Sequence, residues 1–359
     1  MSYPILAPQQ EWYTQGGTTT AINTITEINI VDSYTVTGTE TETWDASASK
    51  DGSINVYIEG TKLTIAGNGS GKISVNADAS NMFKGMSVLT IINGGGILDL
   101  AGTINMYGMF YDCKKLTSVD VSNWDISNVT SLDRLFYCCQ ALTSLDVSNW
   151  DTGNVTNIDS IFYNCKILPE INVSNWNISN VNTMKSVFGH CETLTTIDVS
   201  NWNTSNVSRV EGMFYECKNL ETLDVYKWNT SKFIYLTQLF CSCYKLTTLD
   251  VSNWDTRSVK EMYETFYGCG ATILDVANWN TSKVTNMNRT FKYTKITSID
   301  LSRWDVRKVQ FFIEMFAFCN SLISIDLSNW NTDSAKNMNS MFYSCGKLTS
   351  VNFSNWYTS

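Results

Sequence analysis

The chain has 359 residues and a formal net charge of -9, from 34 acidic and 25 basic side chains. That balance argues against a nucleic-acid partner, because phosphate backbones are gripped by clustered Lys and Arg. No run approaches the roughly 18 apolar residues of a membrane-spanning helix, and MSYPILAPQQEW shows no secretory signal peptide, lacking both its basic and its apolar region, so neither membrane insertion nor export by the usual route is expected.

Residues 1–80 have no repeat register. Ile22 to Val31 predicts a strand, and the alternation of Ile54, Val56 and Ile58, then Leu63 and Ile65, around Glu59-Gly60-Thr61 predicts a hairpin. A β-rich N-terminal domain over 1–80 is expected to cap whatever follows or to attach it elsewhere, to a second copy or to a larger particle. The run Ala66-Gly67-Asn68-Gly69-Ser70-Gly71-Lys72-Ile73 fails as a phosphate cradle. Gly is missing at Ala66, Ser or Thr is missing at Ile73, and no helix pattern follows. No cofactor is expected.

From about residue 81 to 359 the chain repeats itself, and a fixed period between 20 and 50 residues marks a stacked repeat architecture. A degenerate first coil runs from Met82-Phe83 through Leu89-Thr90-Ile91-Ile92 and has Ile97 where later coils have Trp. The pattern is clearest in LTSLDVSNWDTGNVTNIDSIFYNC, Leu142 to Cys165. Its landmarks return every 26 residues with two slips to 25, as Trp124, Trp150, Trp176, Trp202, Trp228, Trp254, Trp279, Trp304, Trp330 and Trp356 show.

Within a coil, Leu142, Leu145 and Val147 have the form of a leucine-rich-repeat strand, with Leu145 and Val147 inward and Ser144 and Asp146 outward. Val155, Ile158, Ile161, Phe162 and Cys165 follow at spacings that fit one face of a short helix. The expected fold is therefore α/β: a right-handed leucine-rich-repeat-like solenoid of strand-plus-short-helix coils. Strands about 4.8 Å apart would give an arc on the order of 50 Å long with a parallel sheet on its concave side. The chain stops at Trp356-Tyr357-Thr358-Ser359 without a helix closing the last coil, so that coil is expected to fray or to be covered by another subunit.

Nine of the eleven Cys stand three residues after the repeat Phe, from Cys113 to Cys345, and only Cys138 and Cys241 leave that column. With no CxxC pair and one His, His190, a zinc framework is excluded. The column reads as a buried thiol ladder, without disulfides or metal. His190 reads as plain surface, and an enzyme is not expected, because nearly every candidate group belongs to a column rather than to a unique pocket.

LTSLDVSNWDTGNVTNIDSIFYNC and its copies resemble the 26-residue repeats of BspA-type leucine-rich repeat surface proteins, a group shared by Listeria-like surface proteins and mycoplasma lipoproteins. The resemblance covers roughly residues 82–359. It implies non-enzymatic adhesion to a protein or glycan on a target cell or matrix. A recognition solenoid with no export signal fits a phage virion component, a tail or fibre receptor-binding part attached through residues 1–80. A bacterial cell-surface adhesin and an intracellular interaction scaffold are the alternatives, and the location expected is accordingly the virion or the extracellular surface.

Two candidate sites emerge. Asp120, Asp146, Asp198, Asp224, Asp250, Asp275, Asp300 and Asp326 form a column on the strand face. Like charges at strand spacing should raise some of their pKa values or attract a cation such as calcium; the other reading is hydrogen bonding to neighbouring Ser and Thr hydroxyls. The second site lies where the repeat is broken. Columns that are otherwise polar become Tyr235 and Phe311, Tyr263 and Ile313, and Tyr293 and Phe318, in a stretch that also holds Lys260, Lys283, Arg289, Lys292, Lys295, Arg303, Arg307 and Lys308. Aromatics among basic residues suggest a recognition patch, while drift in relaxed coils is the other reading.

Overall fold

The computed structural model describes residues 3–354 and Trp356. It divides into two compact units, Met1–Asn180 and Val181–Ser359. Regular structure is mostly sheet: one short helix, α1 (Glu11–Thr14), and two 3-10 turns, Ile22–Thr24 and Gly95–Ile97, are the helical segments among the described residues. Among those residues no helix is long and apolar enough to cross a membrane.

The first unit opens with strands β1 (Glu27–Val31), β2 (Glu42–Asp45), β3 (Asn55–Glu59), β4 (Lys62–Ala66) and β5 (Ile73–Ser74). β3 and β4 are the expected antiparallel hairpin, turning through Gly60 at φ 61°. Its alternation puts Val56, Ile58, Leu63 and Ile65 fully inside. β1 starts later than the sequence pattern suggests, after the 3-10 turn, and pairs parallel with β4 on one side and with β6 (Ile91–Asn93) on the other. β6 belongs to the first coil, so the N-terminal sheet runs straight into the repeats. β7 (Leu98–Asp99) pairs with β5, and β8 (Ser118–Val119) continues the main sheet beyond β6.

Trp12 closes the open end of this stack. It is wholly buried, its ring meets Phe83 edge-on at 5.7 Å, and its indole N–H donates to the Met82 carbonyl at 3.0 Å. Burying an indole is favourable when the ring is covered and its one donor is satisfied, and both conditions hold here. Two of the three glycines that replace the usual strand end in the first coil, Gly94 and Gly95, are sterically required. Gly94 has φ 75°, and a Cβ on it would sit 2.0 Å from the Ile30 carbonyl oxygen.

Among the described residues the short helix expected in each coil is absent; a ladder of turns stands in its place. In the first unit the amides of Leu132, Arg134, Phe136 and Cys138 donate to the carbonyls of Asn157, Asp159, Ile161 and Tyr163 in the next coil, at 2.8–3.0 Å. The intervening amides of Leu135, Tyr137 and Cys139 close three-residue turns onto Leu132, Arg134 and Phe136. In the second unit Leu236, Gln238, Phe240 and Ser242 repeat the arrangement onto Glu261, Tyr263, Thr265 and Tyr267. An α-helix would send each amide back four residues within its own segment. Here residues with positive φ, such as Arg134 and Cys138, turn alternate peptides outward, so the neighbouring coil supplies the acceptors.

The apolar spacing misled because a turn that repeats about every three residues presents the same face as a helix. Val155, Ile158, Ile161, Phe162 and Cys165 are indeed all fully buried. The strand segments are also less regular than expected. Leu145 and Val147 point in, and Ser144 and Asp146 point out, yet among the described residues of the second unit regular strands form only at β9 (Ser324–Asp326) and β10 (Ser350–Asn352), which pair in parallel. Between the regular pairs, single bonds such as Thr143 N–H to the Thr117 carbonyl at 3.1 Å join the coils.

Side chains complete the stacking by bonding to the backbone one coil away. Trp150 and Trp176 donate their indole N–H to the carbonyls of Val121 and Val147 in the first unit; Trp228, Trp254, Trp279 and Trp304 do the same to Val199, Val225, Val251 and Val276 in the second, all at 2.9–3.1 Å. Thiols behave likewise. Cys113, Cys139 and Cys165 donate to the carbonyls of Phe83, Phe110 and Phe136, and Cys217, Cys243, Cys319 and Cys345 to those of Phe188, Phe214, Phe291 and Phe316, at 3.0–3.3 Å. All eleven Cys are free thiols, and burial pushes the Cys319 thiol up to about 12. Cys269 departs from the ladder, reaching Leu246 O at only 3.9 Å, in a 25-residue coil where Gly270 passes close to the Tyr244 carbonyl.

Between these ladders the Phe rings stack face to face. Centroids of Phe83, Phe110, Phe136 and Phe162 are 5.2–6.1 Å apart in the first unit, and those from Phe188 to Phe342 are 5.4–5.9 Å apart in the second. The expectation about Tyr357 to Ser359 falls outside the described residues.

Trp254→Phe keeps an aromatic ring but removes the donor to Val225, and is expected to cost about 1–3 kcal/mol. Phe240→Ala, which opens a hole in the stack, is expected to cost about 3–5 kcal/mol. Urea unfolding of both variants against the parent checks the order; equal stability of parent and Trp254→Phe would contradict the role given to the indole bond.

Candidate functional site

Two columns of the turn ladder, two residues before and two residues after the repeat Phe, are left-handed in every regular coil. The first includes Arg134, Ser160, Gly212, Gln238, Glu264, Arg289 and Glu314; the second includes Asp112, Asn164, His190, Glu216, Gly268, Tyr293 and Phe318, all with φ between 53° and 63°. Gly and Asn adopt this conformation at low cost, whereas bulky residues are outliers there. Most occupants are small or polar. Tyr293 at φ 63° and Phe318 at φ 60° are therefore placed where the backbone resists them. Sequence reasoning did not see the left-handed columns; the Gly at 108, 212 and 268 and the Asn at 164 were the available signal.

These two rings stack on each other at 4.5 Å and 11°, and the Lys292 ammonium lies 5.3 Å and 5.6 Å from their centroids. Tyr267 meets Tyr293 edge-on at 5.4 Å, and Tyr343 meets Phe318 at 5.3 Å. Tyr293 is 43% exposed. Arg289 donates to Glu314 at 2.6 Å and Glu264 at 3.3 Å and reaches the Tyr263 hydroxyl at 3.5 Å, while Lys292 donates to Glu314 at 2.8 Å. The Arg289 amide bonds the Ile313 carbonyl at 2.9 Å. The Lys292 bond, against the opposing effect of burial and with help from Arg289, holds the Glu314 carboxyl below its ordinary range. Tyr263, Arg289, Lys292, Tyr293, Ile313 and Phe318 thus share one cluster, with Glu264 and Glu314 as members that the sequence did not single out.

Two carboxylates offset the two cations, so this cluster is not the basic patch expected. The other candidates lie apart from it. Tyr235 packs under the Arg209 guanidinium at 4.9 Å and lines a groove of about 420 Å³ with Lys260, Glu261, Lys283, Thr285 and Lys308. Phe311 bridges Asn286 and Asn337 in the column that also holds Tyr235. Arg307 is exposed and paired with Asp305 at 2.7 Å.

The Asp column behaves differently from a repelling row. Asp120, Asp146, Asp198 and Asp250 each accept the backbone N–H and the hydroxyl of the Ser two residues on, in Ser122, Ser148, Ser200 and Ser252, closing their own turns. Asp224, Asp275, Asp300 and Asp326 accept the amides of Tyr226, Ala277, Ser302 and Ser328. These bonds to Ser hydroxyls and backbone amides run within each coil, while Asp326 also bonds the Asn352 side chain in the next. Those from Ser148 and Ser200 hold Asp146 and Asp198 below the usual carboxylate range, and the Ser302 and Ser328 amides do so for Asp300 and Asp326, opposite to the rise expected of like neighbours.

Among the described residues, the group of metal-ligating side chains whose ligand atoms all lie within 4.8 Å is His190, Glu192 and Glu216. Its two carboxylates are already bridged by a cation of the chain itself, the Lys218 ammonium, 3.2 Å from Glu192 and 3.3 Å from Glu216. His190 is half-buried, 3.1 Å from Glu216, rather than plain surface. Burial pushes Glu216 up, but His190 and Lys218 outweigh it and leave the carboxyl lowered.

These carboxylates set an acid limit. A group depressed in the folded state contributes stability above its unfolded pKa and loses it as pH falls through the folded value. Glu42, held at about 2 by the hydroxyls of Thr18 and Thr20, and the four lowered column Asp residues act together. The urea midpoint is expected to be flat from neutral pH down to about pH 5 and to fall steadily toward about pH 2. Asp146→Asn should reduce that acid loss with little change at pH 7, since Asn172 already makes the same two bonds to Ser174. A midpoint independent of pH below 4 would contradict the capping role.

A family described as Mycoplasma protein of unknown function, DUF285, matches three overlapping stretches, residues 77–197, 167–275 and 263–359. No curated protein matches the chain. A crystal structure of a leucine-rich cell surface protein from Faecalibacterium prausnitzii A2-165 aligns over 80% of this chain and 79% of that one, at 15% identity and a TM-score of 0.37. The family matches begin where the coils begin and together span all of them, and the chain belongs to the DUF285 family.

Proposed function

We propose that this chain is a non-enzymatic recognition protein of a bacterial cell surface, whose coils wind as a right-handed solenoid and present a protein- or glycan-binding face. Parallel strand connections are right-handed in nearly all known cases, which favours that hand. Family membership favours a cellular protein over a virion part, since the family takes its description from Mycoplasma proteins.

The observation that carries the reading is the Tyr293–Phe318 pair. Two large aromatic rings are held part-exposed at left-handed positions where the repeat otherwise keeps small or polar residues. Strained backbone and exposed aromatics both cost stability, and they persist where binding uses them. The ion-paired rim of Arg289, Lys292, Glu264 and Glu314 fixes the rings and gives the face both charge signs, the composition of an interface hot spot ringed by polar groups.

The test is attachment of the labelled full-length chain to a panel of intact cells and immobilised matrix proteins. The combined variant Tyr263→Ser, Tyr293→Ser, Phe318→Ser is expected to melt close to the parent and to lose at least about tenfold in attachment, the loss of one or two hot-spot residues. Undiminished attachment by that variant, or no saturable attachment of the parent to any member of the panel, would overturn the reading.

A further inference from the structure

The groove beside Tyr235 is a separate feature, and its chemistry is legible. In the first unit the fourth residue after each repeat Trp is an Asn whose side-chain amide clamps the preceding coil: Asn128, Asn154 and Asn180 donate to the carbonyls of Ala101, Ser127 and Gly153 at 2.7–2.9 Å. In the second unit Asn206 still holds that position, which then becomes Lys232, Ser258, Lys283, Lys308 and Ser334 in the coils that follow. Two residues further on, Lys260 and Lys336 join them. The clamp has been exchanged for ammonium groups on flexible stems, in neighbouring coils, on a chain of net charge -9.

The backbone beneath is fixed. Amides of Lys260, Thr285, Gln310 and Lys336 donate in succession to the carbonyls of Ile234, Lys260, Thr285 and Gln310 at 2.8–3.0 Å. The lysines therefore recur at the coil spacing, about 4.8 Å per step. Lys260, Lys283 and Lys308 are exposed and converge on the groove of about 420 Å³. Among the described residues, none of these three ammonium groups is within ion-pair distance of a carboxylate, whereas Arg257 and Arg307 beside them are paired with Asp255 and Asp305. Cations without an ion-pair partner, gathered in a concavity where they outnumber the one carboxylate of the lining, favour an anionic ligand.

We infer that this groove binds a linear anionic polysaccharide, its sulfate or carboxylate groups taken by Lys260, Lys283 and Lys308. Three features select a sugar chain over a nucleic acid. The coil spacing is close to the length of one pyranose ring in an extended chain, so successive coils address successive sugars. Glu261 lies in the same groove, with Asn286 donating to one oxygen at 2.9 Å; a carboxylate there repels a run of phosphates but accepts sugar hydroxyls. Tyr235 offers a ring for a sugar face, and the Thr285 hydroxyl borders it. This deepens the recognition reading by naming a ligand class, and rests on that reading for its biological role alone.

The experiment is fluorescence-polarisation binding of the full-length chain to labelled dextran sulfate in low salt, with neutral dextran and a single-stranded DNA of equal charge as comparison probes. Saturable binding to dextran sulfate is expected, weakening as salt rises, with none to neutral dextran and weaker binding to DNA. The variant Lys260→Gln, Lys283→Gln, Lys308→Gln is expected to lose at least tenfold in affinity and to flatten the salt dependence. Lys114→Gln, Lys115→Gln, Lys347→Gln, which removes the same charge elsewhere, is expected to bind like the parent. Tyr235→Ala should weaken binding without changing the salt slope. No binding by the parent, equal loss in the two lysine variants, or tighter binding of DNA would each overturn the inference. Because the aromatic triple variant leaves these lysines in place, dextran sulfate binding that survives in it separates this groove from the attachment face.

Discussion

Everything in the repeats depends on one distance, the step from a coil to its neighbour. Alternate amides of the turn ladder, the Trp indoles and the Cys thiols all find their acceptors one coil away, as Phe240 to Thr265, Trp254 to Val225 and Cys243 to Phe214 illustrate. A buried donor left without such an acceptor costs about 1–3 kcal/mol, so a coil cannot shift relative to its neighbour without breaking several bonds at once. This explains why Trp, and not merely a large apolar residue, holds its column. Ring volume alone could come from Phe or Leu, but the N–H could not.

Much of this was legible in the sequence, and the part that was not has a physical cause. The inward and outward assignment of Leu145, Val147, Ser144 and Asp146, the Phe and Trp columns, the buried thiols and the hairpin around Gly60 follow from side-chain periodicity, which reports burial faithfully. Periodicity is blind to backbone direction. Val155, Ile158, Ile161, Phe162 and Cys165 line up in a ladder of three-residue turns as they would in a helix, and the difference lies in φ at Ser160 and Asn164. Asp146 was legible as a column member, but its bond to Ser148 in its own coil depends on turn geometry that the column pattern does not carry.

The candidate site was half legible for the same reason. Exceptions to the repeat identified Tyr263, Tyr293, Ile313 and Phe318, and the structure brings them together with Arg289 and Lys292. It also adds Glu264 and Glu314, which neutralise those cations. Unpaired positive charge instead gathers at Lys260, Lys283 and Lys308. The second unit thus carries two unlike surfaces, an aromatic cluster whose charges are already paired and a groove whose charges are not. The aromatic surface fits a partner with apolar area to bury, and the groove fits one with charge to neutralise.

The claim on which these surfaces rest is that coils are joined by amides pointing to the next coil. Scalar couplings across hydrogen bonds, measured by NMR on deuterated protein, test it directly. The account predicts a coupling from the Phe240 amide nitrogen to the Thr265 carbonyl carbon, across the 2.9 Å bond between them; a coupling from that amide to the carbonyl of Leu236, as in an α-helix, would contradict it.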